Sequence, residues 1–225
     1  MPRTTEAPDR VAAAIEARDE AAVRELLARE PGVASARDGQ GRSLLLLALF
    51  HDLDGAAAAI AAHRTEPLDA LEAAATGQVG RLRELLEQDA GAVLAARTTE
   101  GFEALGLAAF LGGAEAVAAL LDHGADPQGD PRNPLGVRPV HAATAHRDAA
   151  ALRLLLDAGA DPDAAQRGGF TPLHAAAQHD DPELARLLLD HGADRARRTD
   201  DGRTAEDIAA AEGGERVLAL LRERA

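Results

Sequence analysis

The chain contains no cysteine, tryptophan, tyrosine or lysine, and only four phenylalanines among its 225 residues. Without cysteine there is no disulfide framework and no thiolate chemistry, which fits a reducing compartment. Apolar runs such as Leu44 to Phe50 are far shorter than the roughly 20 residues of a membrane-spanning helix. The first ten residues also lack the apolar core of a signal peptide. These absences predict a soluble, cytoplasmic protein.

Positive charge is scarce. The chain has 24 arginines against 38 acidic residues, which gives a net charge of −14. Phosphate binding needs concentrated positive charge, so the composition argues against DNA or RNA as a partner. No residue pattern points to a cofactor, and we expect a monomer.

The stretch 169–194 contains the start and stop signals of two consecutive short helices. Thr171 can cap a helix N-terminus, and Pro172 suits the first helical position, where its missing N–H costs nothing. Asp181 and Pro182 repeat this start signal, and the following leucines recur at i, i+3 and i+4. A glycine then ends the second helix.

Two helices of this size cannot bury a core alone, so the unit should recur. Gly136, Gly169 and Gly202 lie 33 residues apart, and each opens a copy. The residues shared by the copies include Arg138–Ala143, Leu154–Asp161, Thr171–Ala177 and Thr204–Ala210. This pattern resembles the ankyrin repeat, with its DxxGxTPLHxAA opening and LLLxxGAD close. The resemblance is specific over residues 98–225 and looser back to about residue 9.

The resemblance implies an all-α ankyrin-repeat solenoid of about seven helix-turn-helix units, with the first and last units acting as caps. We expect an N-terminal tail over residues 1–8 and one domain over residues 9–225. The predicted units are 9–37, 38–66, 67–97, 98–132, 133–165, 166–198 and 199–225.

Capping signals also locate helices in the less regular N-terminal half. Ser43 is predicted to cap the apolar helix 44–50. Asp69 and Glu72 have the spacing of a capping box, which predicts a helix start at this point. The polar residues 18–20 are expected to form the turn between the first two helices.

Two segments depart from the repeat. The second unit breaks off early, because 61–67 replaces the usual Gly-Ala-Asp close. The glycine-to-glycine spacing from Gly101 to Gly136 is 35, and the added residues fall in the proline-rich stretch 127–134. Loops of this composition are mobile unless they are tied down, so we expect a projecting, mobile finger.

The eight histidines are the first candidates for catalytic or metal-binding residues. They form three positional sets: His141 and His174; His63, His123 and His191; His51, His146 and His179. By the resemblance, the first set satisfies backbone groups between repeats, and the second favourably occupies the last turn of second helices. The third set lies at the ends of first helices, on the face that lines the concave groove in this family. The i, i+4 spacing of a zinc-binding helix is missing, so no metal site is predicted.

Nucleophilic catalysis has little support in the sequence. The only serines are Ser35 and Ser43, and the stretch 41–45 lacks the second glycine of a nucleophile elbow. The stretch 39–41 lacks the lysine and the preceding strand that a phosphate-binding loop needs. No catalytic residue is therefore predicted.

The four phenylalanines give the sharper signal, because none occupies a core position in the repeat. Phe102 and Phe170 each follow a finger glycine, and Phe50 and Phe110 lie near the ends of first helices. In ankyrin proteins these positions face the groove, and clustered exposed aromatic residues commonly mark binding sites. The alternative is that each ring packs against a neighbouring alanine-rich helix.

The resemblance thus favours a non-catalytic scaffold that holds a protein or peptide in the groove. The alternative is a small-molecule-binding protein or an enzyme with its site around His146 and His179. The predicted partner-binding residues are Phe50, His51, Phe102, Phe110, Leu111, Leu135, His146, Phe170, Gln178 and His179, with Arg42, Arg167 and Arg203 at finger tips.

Overall fold

The computed structural model describes residues 6–223, and within that range it contains α-helices in seven consecutive pairs and no strand. The predicted all-α repeat architecture is therefore confirmed. The helices are α1 Ala7–Glu16, α2 Glu20–Arg29, α3 Leu44–Phe50, α4 Asp54–His63, α5 Ala70–Ala75, α6 Val79–Ala95, α7 Ala104–Leu107, α8 Ala114–Asp122, α9 Pro139–Ala145, α10 Ala149–Asp157, α11 Pro172–Gln178, α12 Pro182–Asp190, α13 Ala205–Glu212 and α14 Glu215–Arg222.

The helices begin where the capping residues predict. Ser43 Oγ accepts the Leu46 amide at 3.3 Å, and Asp181 Oδ1 accepts the Leu184 amide, also at 3.3 Å. Each bond satisfies one of the amide groups that a helix start leaves without a partner. The Asp69–Glu72 capping box is also present, with both reciprocal bonds formed at 2.9 and 3.1 Å.

The chain divides into two compact parts, one ending at Glu72 and the other beginning at Ala73. In the N-terminal part, α1 packs on α3 and α2 packs on α4. In the C-terminal part, the first helices α7, α9, α11 and α13 follow one another, and so do the second helices α8, α10, α12 and α14. Each pair buries a leucine stripe against its neighbours, and the most deeply buried side chains of the C-terminal part include Leu120, Leu152, Leu155 and Leu184.

The N-terminal tail is shorter than predicted. Helix α1 begins at Ala7 with Pro8 in its first turn, so both residues are helical. Proline is tolerated there because the first turn has no intrahelical acceptor for its missing amide. Residues 1–5 of the predicted tail lie outside the described residues.

The segment 127–134 is not the loose finger predicted from its composition. The Asp130 amide donates to Glu103 Oε1 at 3.1 Å, and Asn133 is buried and bonds the backbone of Val137 in both directions. Gln128 reaches the next unit, where its Nε2 donates to the Gly159 carbonyl at 2.7 Å. These bonds tie the segment down, although the Arg132 side chain remains exposed.

The early end of the second unit has a local cause. His63, His123 and His191 each place Nδ1 2.7–2.8 Å from the carbonyl four residues earlier. The next residue is a left-handed glycine after His123 and His191, but it is Arg64 after His63, with φ −67°. The chain therefore leaves α4 in an extended conformation.

Arg64 turns inward and forms a buried ion pair with Glu72. Its guanidinium contacts the two carboxylate oxygens at 3.1 and 2.9 Å, and the two side chains are only 9% and 5% exposed. Glu72 Oε1 also accepts the Ser43 hydroxyl at 2.7 Å. Glu72 occupies the third position of its helix, as His141 and His174 do in later units.

Two glycines allow close backbone packing at the start of the C-terminal part. Helix α7 continues as a π-helical turn, Ala108–Gly112, which brings Gly112 against the backbone of α5. A Cβ on Gly112 would overlap the Ala74 carbonyl oxygen, and a Cβ on Gly77 would lie 2.6 Å from the Gly112 carbonyl oxygen. Glycine is therefore required at position 112 for steric reasons.

Candidate functional site

A four-residue turn forms the tip of each finger in the C-terminal part. Its last residue is a glycine whose amide donates to the carbonyl three residues earlier, at 2.8–3.1 Å. All four glycines have φ between 66° and 86°, which is the left-handed conformation that favours glycine. The turns end at Gly101, Gly136, Gly169 and Gly202.

The residue after each of these glycines is held in an equivalent place. The carbonyls of Phe102, Phe170 and Arg203 accept the amide four residues earlier at 2.9–3.0 Å. In the fifth unit the Asn133 side chain takes over this role and bonds the Val137 carbonyl at 2.7 Å. The finger row is defined here as Phe102, Val137, Phe170 and Arg203.

The apolar members of the finger row are half-buried, and Arg203 is exposed. Phe170 lies on His174 with ring centroids 5.4 Å apart, so part of its surface packs on the start of its own helix. The structure thus keeps part of each apolar side chain accessible while its backbone is fixed by the turn.

The ends of the first helices form a second set of equivalent positions. The His146 and His179 amides each donate to the carbonyl four residues earlier at 3.0 Å, and both side chains are exposed. Phe110 is half-buried and contacts His146 edge-on, with ring centroids 5.9 Å apart. The helix row is defined here as Phe110, Leu111, His146, Gln178 and His179.

The remaining predicted residues are placed separately. Phe50 ends α3 and is 36% exposed, and His51 caps the same helix; both belong to the N-terminal part. Leu135 is the third residue of the turn that ends at Gly136, in the fifth unit, and it is 52% exposed. None of the four phenylalanines is buried, as the repeat positions predicted.

Two of the three arginines predicted at finger tips, Arg42 and Arg203, form ion pairs beside their turns, whereas Arg167 lies at the tip. Arg42 is half-buried and forms ion pairs with Asp38 at 2.7 Å and Glu16 at 2.8 Å, so it stabilises its own turn. Arg203 follows the turn and pairs with Asp201 at 2.8 Å. Arg167 lies at the tip, is exposed, and has no ion pair within the described part of the chain.

His141 has the structural role predicted for it, whereas His174 accepts the Thr171 amide of its own unit at Nδ1 (3.1 Å) and its buried Nε2 has no hydrogen-bond partner among the described residues. His141 Nδ1 accepts the Arg138 amide at 3.1 Å, so the ring proton lies on Nε2, which donates to the Ala164 carbonyl at 2.8 Å. Burial lowers the pKa of His141 to about 4 and also lowers the pKa of His174. Both rings are neutral at pH 7, and the His141 ring connects its unit to the next one.

The depressed pKa of His141 predicts a loss of stability in acid. In the unfolded chain a histidine takes up its proton near pH 6.5, whereas the folded protein resists protonation down to about pH 4. The unfolded state therefore binds more protons between these pH values, and the free energy of unfolding falls by about 1.4 kcal/mol per pH unit. The contribution of His141 to the free energy of unfolding is fully present above about pH 6.5.

His141→Gln is the variant that isolates this effect. Between pH 7 and pH 5, we expect the stability difference between the native chain and this variant to shrink by about 2 kcal/mol. Urea denaturation at the two pH values gives the difference directly. Equal pH dependence in both proteins would show that His141 is not the responsible group.

The described residues contain no group of three histidine or carboxylate side chains that could hold a metal ion. Both rings of the predicted alternative site, His146 and His179, are exposed. No helix among the described residues is long and apolar enough to cross a bilayer.

Comparison with known proteins agrees with this architecture. The family model described as ankyrin repeats (3 copies) matches residues 70–166 and 140–225, which together span more than half of the chain. The chain belongs to the ankyrin repeat family. None of the curated proteins compared with it matches. Ankyrin repeats are generally scaffolds for protein interactions.

Val137 is the member of the finger row that the sequence interpretation missed. Its signal was present, because Val137 follows Gly136 in the same way that Phe102 follows Gly101. Val137 is not aromatic, but the turn geometry makes its position equivalent to those of Phe102 and Phe170.

Proposed function

We propose that this ankyrin repeat protein is a non-catalytic scaffold that binds a protein or peptide on its C-terminal part, along the finger row and the helix row. The finger row carries the proposal, because successive turns present partly accessible apolar side chains at equivalent positions. Ankyrin repeats generally mediate protein interactions, and aromatic residues are enriched at protein interfaces.

The rigidity of this surface supports the proposal, in addition to its exposure. The backbone at Phe102, Phe170 and Arg203 is fixed by hydrogen bonds on both sides of a turn, and the Asn133 side chain holds the Val137 carbonyl. In the helix row, the residues from α9 and α11 lie at helix ends, and those that follow α7 lie in its π-helical turn. A surface already held in place loses little conformational entropy on binding, which favours affinity. Phe50 and His51 are a separate candidate contact on the N-terminal part.

Alanine variants of Phe102, Phe110 and Phe170 test the proposal in two steps. Because the rings are half-buried, each substitution should cost about 1–2 kcal/mol, between the 0.5 kcal/mol of a surface change and the roughly 3–5 kcal/mol of a buried phenylalanine. Leu155→Ala, at a fully buried position, is the reference for a core loss. Urea denaturation measures all four.

The second step is a pull-down from the native lysate, with the bound proteins identified by mass spectrometry. We expect the triple Phe102→Ala, Phe110→Ala, Phe170→Ala variant to lose a protein that the native chain retains. Glu183→Ala is the matched control, because Glu183 is exposed on α12, and it should keep that protein. Unchanged capture by a folded triple variant would refute the proposed surface.

A further inference from the structure

The order of side chains along the finger row carries chemical information about the partner. From the fourth to the seventh unit the row reads Phe102, Val137, Phe170 and Arg203. Three apolar positions are thus followed by a cation at the equivalent place. The Arg203 carbonyl accepts the amide four residues earlier, as the carbonyls of Phe102 and Phe170 do. A ligand lying along the row meets apolar side chains first and positive charge at one end.

The cationic end extends beyond Arg203. Residues 195–203 contain four arginines and two aspartates, in a chain whose net charge is −14. Arg197, Arg198 and Arg203 are exposed, and Arg167 at the tip of the sixth finger is exposed too. The Asp200 amide donates to the Gly168 carbonyl at 2.8 Å, so the sixth and seventh finger tips are adjacent. The basic end is defined here as Arg167, Arg197, Arg198 and Arg203.

These arginines are available to an incoming anion. Arg203 pairs with Asp201 while both side chains are about half exposed (49% and 57%), and Arg198 lies 4.0 Å from Asp207 at 64% and 55% exposure. Exposed ion pairs of this kind contribute little to stability, because water screens both charges. Arg167 forms no ion pair among residues 6–223. Exchanging these contacts for a ligand carboxylate therefore costs little.

The spacing of the row sets the length of the ligand. Neighbouring helices pack about 8–10 Å apart. An extended chain in the polyproline II conformation advances about 3.1 Å per residue with three residues per turn, so every third side chain lies on the same face. One step along the row therefore corresponds to about three residues of an extended ligand. The three steps from Phe102 to Arg203 correspond to about nine residues.

We infer that the partner is an extended segment of a protein, with apolar side chains about three residues apart and a carboxylate-rich end that meets the basic end. This inference rests on the proposed function and adds the chemistry and polarity of the ligand. The apolar contacts supply most of the affinity, whereas the charge complementarity fixes the direction and speeds association.

Synthetic peptides of about twelve residues test the inference on the full chain. They carry leucine at every third position among serine and glycine, with two glutamates, two glutamines or two lysines at one end, and each sequence is also made with its order reversed. Fluorescence anisotropy at low and high salt measures binding. We expect the glutamate peptide to bind about tenfold more tightly than the glutamine peptide in one of the two orders, and high salt should reduce this difference.

Charge reversal at the basic end gives the matched variants. Arg203→Glu and Arg167→Glu change exposed side chains, and circular dichroism should show unchanged helical content. Both variants should lose the preference for the glutamate peptide, and Arg203→Glu should improve binding of the lysine peptide. Arg153→Glu, at an exposed position of α10, should leave the preference intact.

Glutamate and glutamine peptides that bind equally would overturn the inference. So would a preference that survives both charge reversals, or the absence of binding by every peptide. The proposed function is judged separately. If binding is independent of peptide charge but is lost in the Phe102→Ala, Phe170→Ala variant, the binding surface stands and only the acidic end is wrong.

Discussion

Replacing Glu72 with alanine is expected to lower the free energy of unfolding by about 3–5 kcal/mol. Glu72 is 4% exposed and accepts hydrogen bonds from the Arg64 guanidinium and from the Ser43 hydroxyl. Its removal leaves Arg64 charged and buried without a counterion. A buried charge that loses its partner is among the few causes of losses this large from one substitution.

The partner substitutions separate charge from packing. Arg64→Met combined with Glu72→Leu removes both charges and keeps apolar volume, so the double variant should recover most of the loss. Glu25→Ala is the control, because Glu25 pairs with Arg29 where both side chains are more than 60% exposed, and it should cost about 0.5 kcal/mol or less. Urea denaturation followed by circular dichroism measures each variant.

A small loss in Glu72→Ala, comparable to that of Glu25→Ala, would contradict a buried ion pair at this position. A double variant as unstable as Glu72→Ala would show that packing, and not the isolated arginine charge, causes the loss.

Gly112→Ala should destabilise the protein by about 1–3 kcal/mol, in the upper part of that range. The added methyl group would overlap the Ala74 carbonyl oxygen, and that oxygen belongs to backbone, which cannot turn aside as a flexible side chain can. Two packed helices must separate to admit one carbon atom. The cost exceeds the gain in helix propensity that alanine normally brings over glycine.

Gly80→Ala is the matched control, since it makes the same chemical change inside a helix. Gly80 lies in α6 with open space around its Cα, so alanine should be neutral there or stabilise by up to about 1 kcal/mol. The two substitutions should thus have opposite signs in thermal or urea denaturation. Equal effects would mean that α5 and the π-helical turn do not pack as closely as the structure shows.

The sequence by itself determined the helix pairs and several of the helix starts. Helix starts at Ser43, Asp69 and Asp181 follow from hydrogen bonds to amides about three residues away, and leucine spacing fixes which face is buried. These interactions are local, so the order of residues is enough to predict them. The absence of phenylalanine from the core followed from the same repeat positions.

The tertiary structure alone decided where residues distant in sequence meet. Ser43 bonds Glu72 across 29 residues, Glu103 holds the Asp130 amide across 27, and Gln128 bonds the Gly159 carbonyl across 31. The composition of 127–134 predicted a mobile finger, because composition does not show which distant residues will bond to the segment. The likeness of Val137 to Phe102 likewise depends on the fold of the turn and not on side-chain type. Local chemistry fixes the elements of this protein, whereas contacts between units determine which loops are held and which side chains remain accessible.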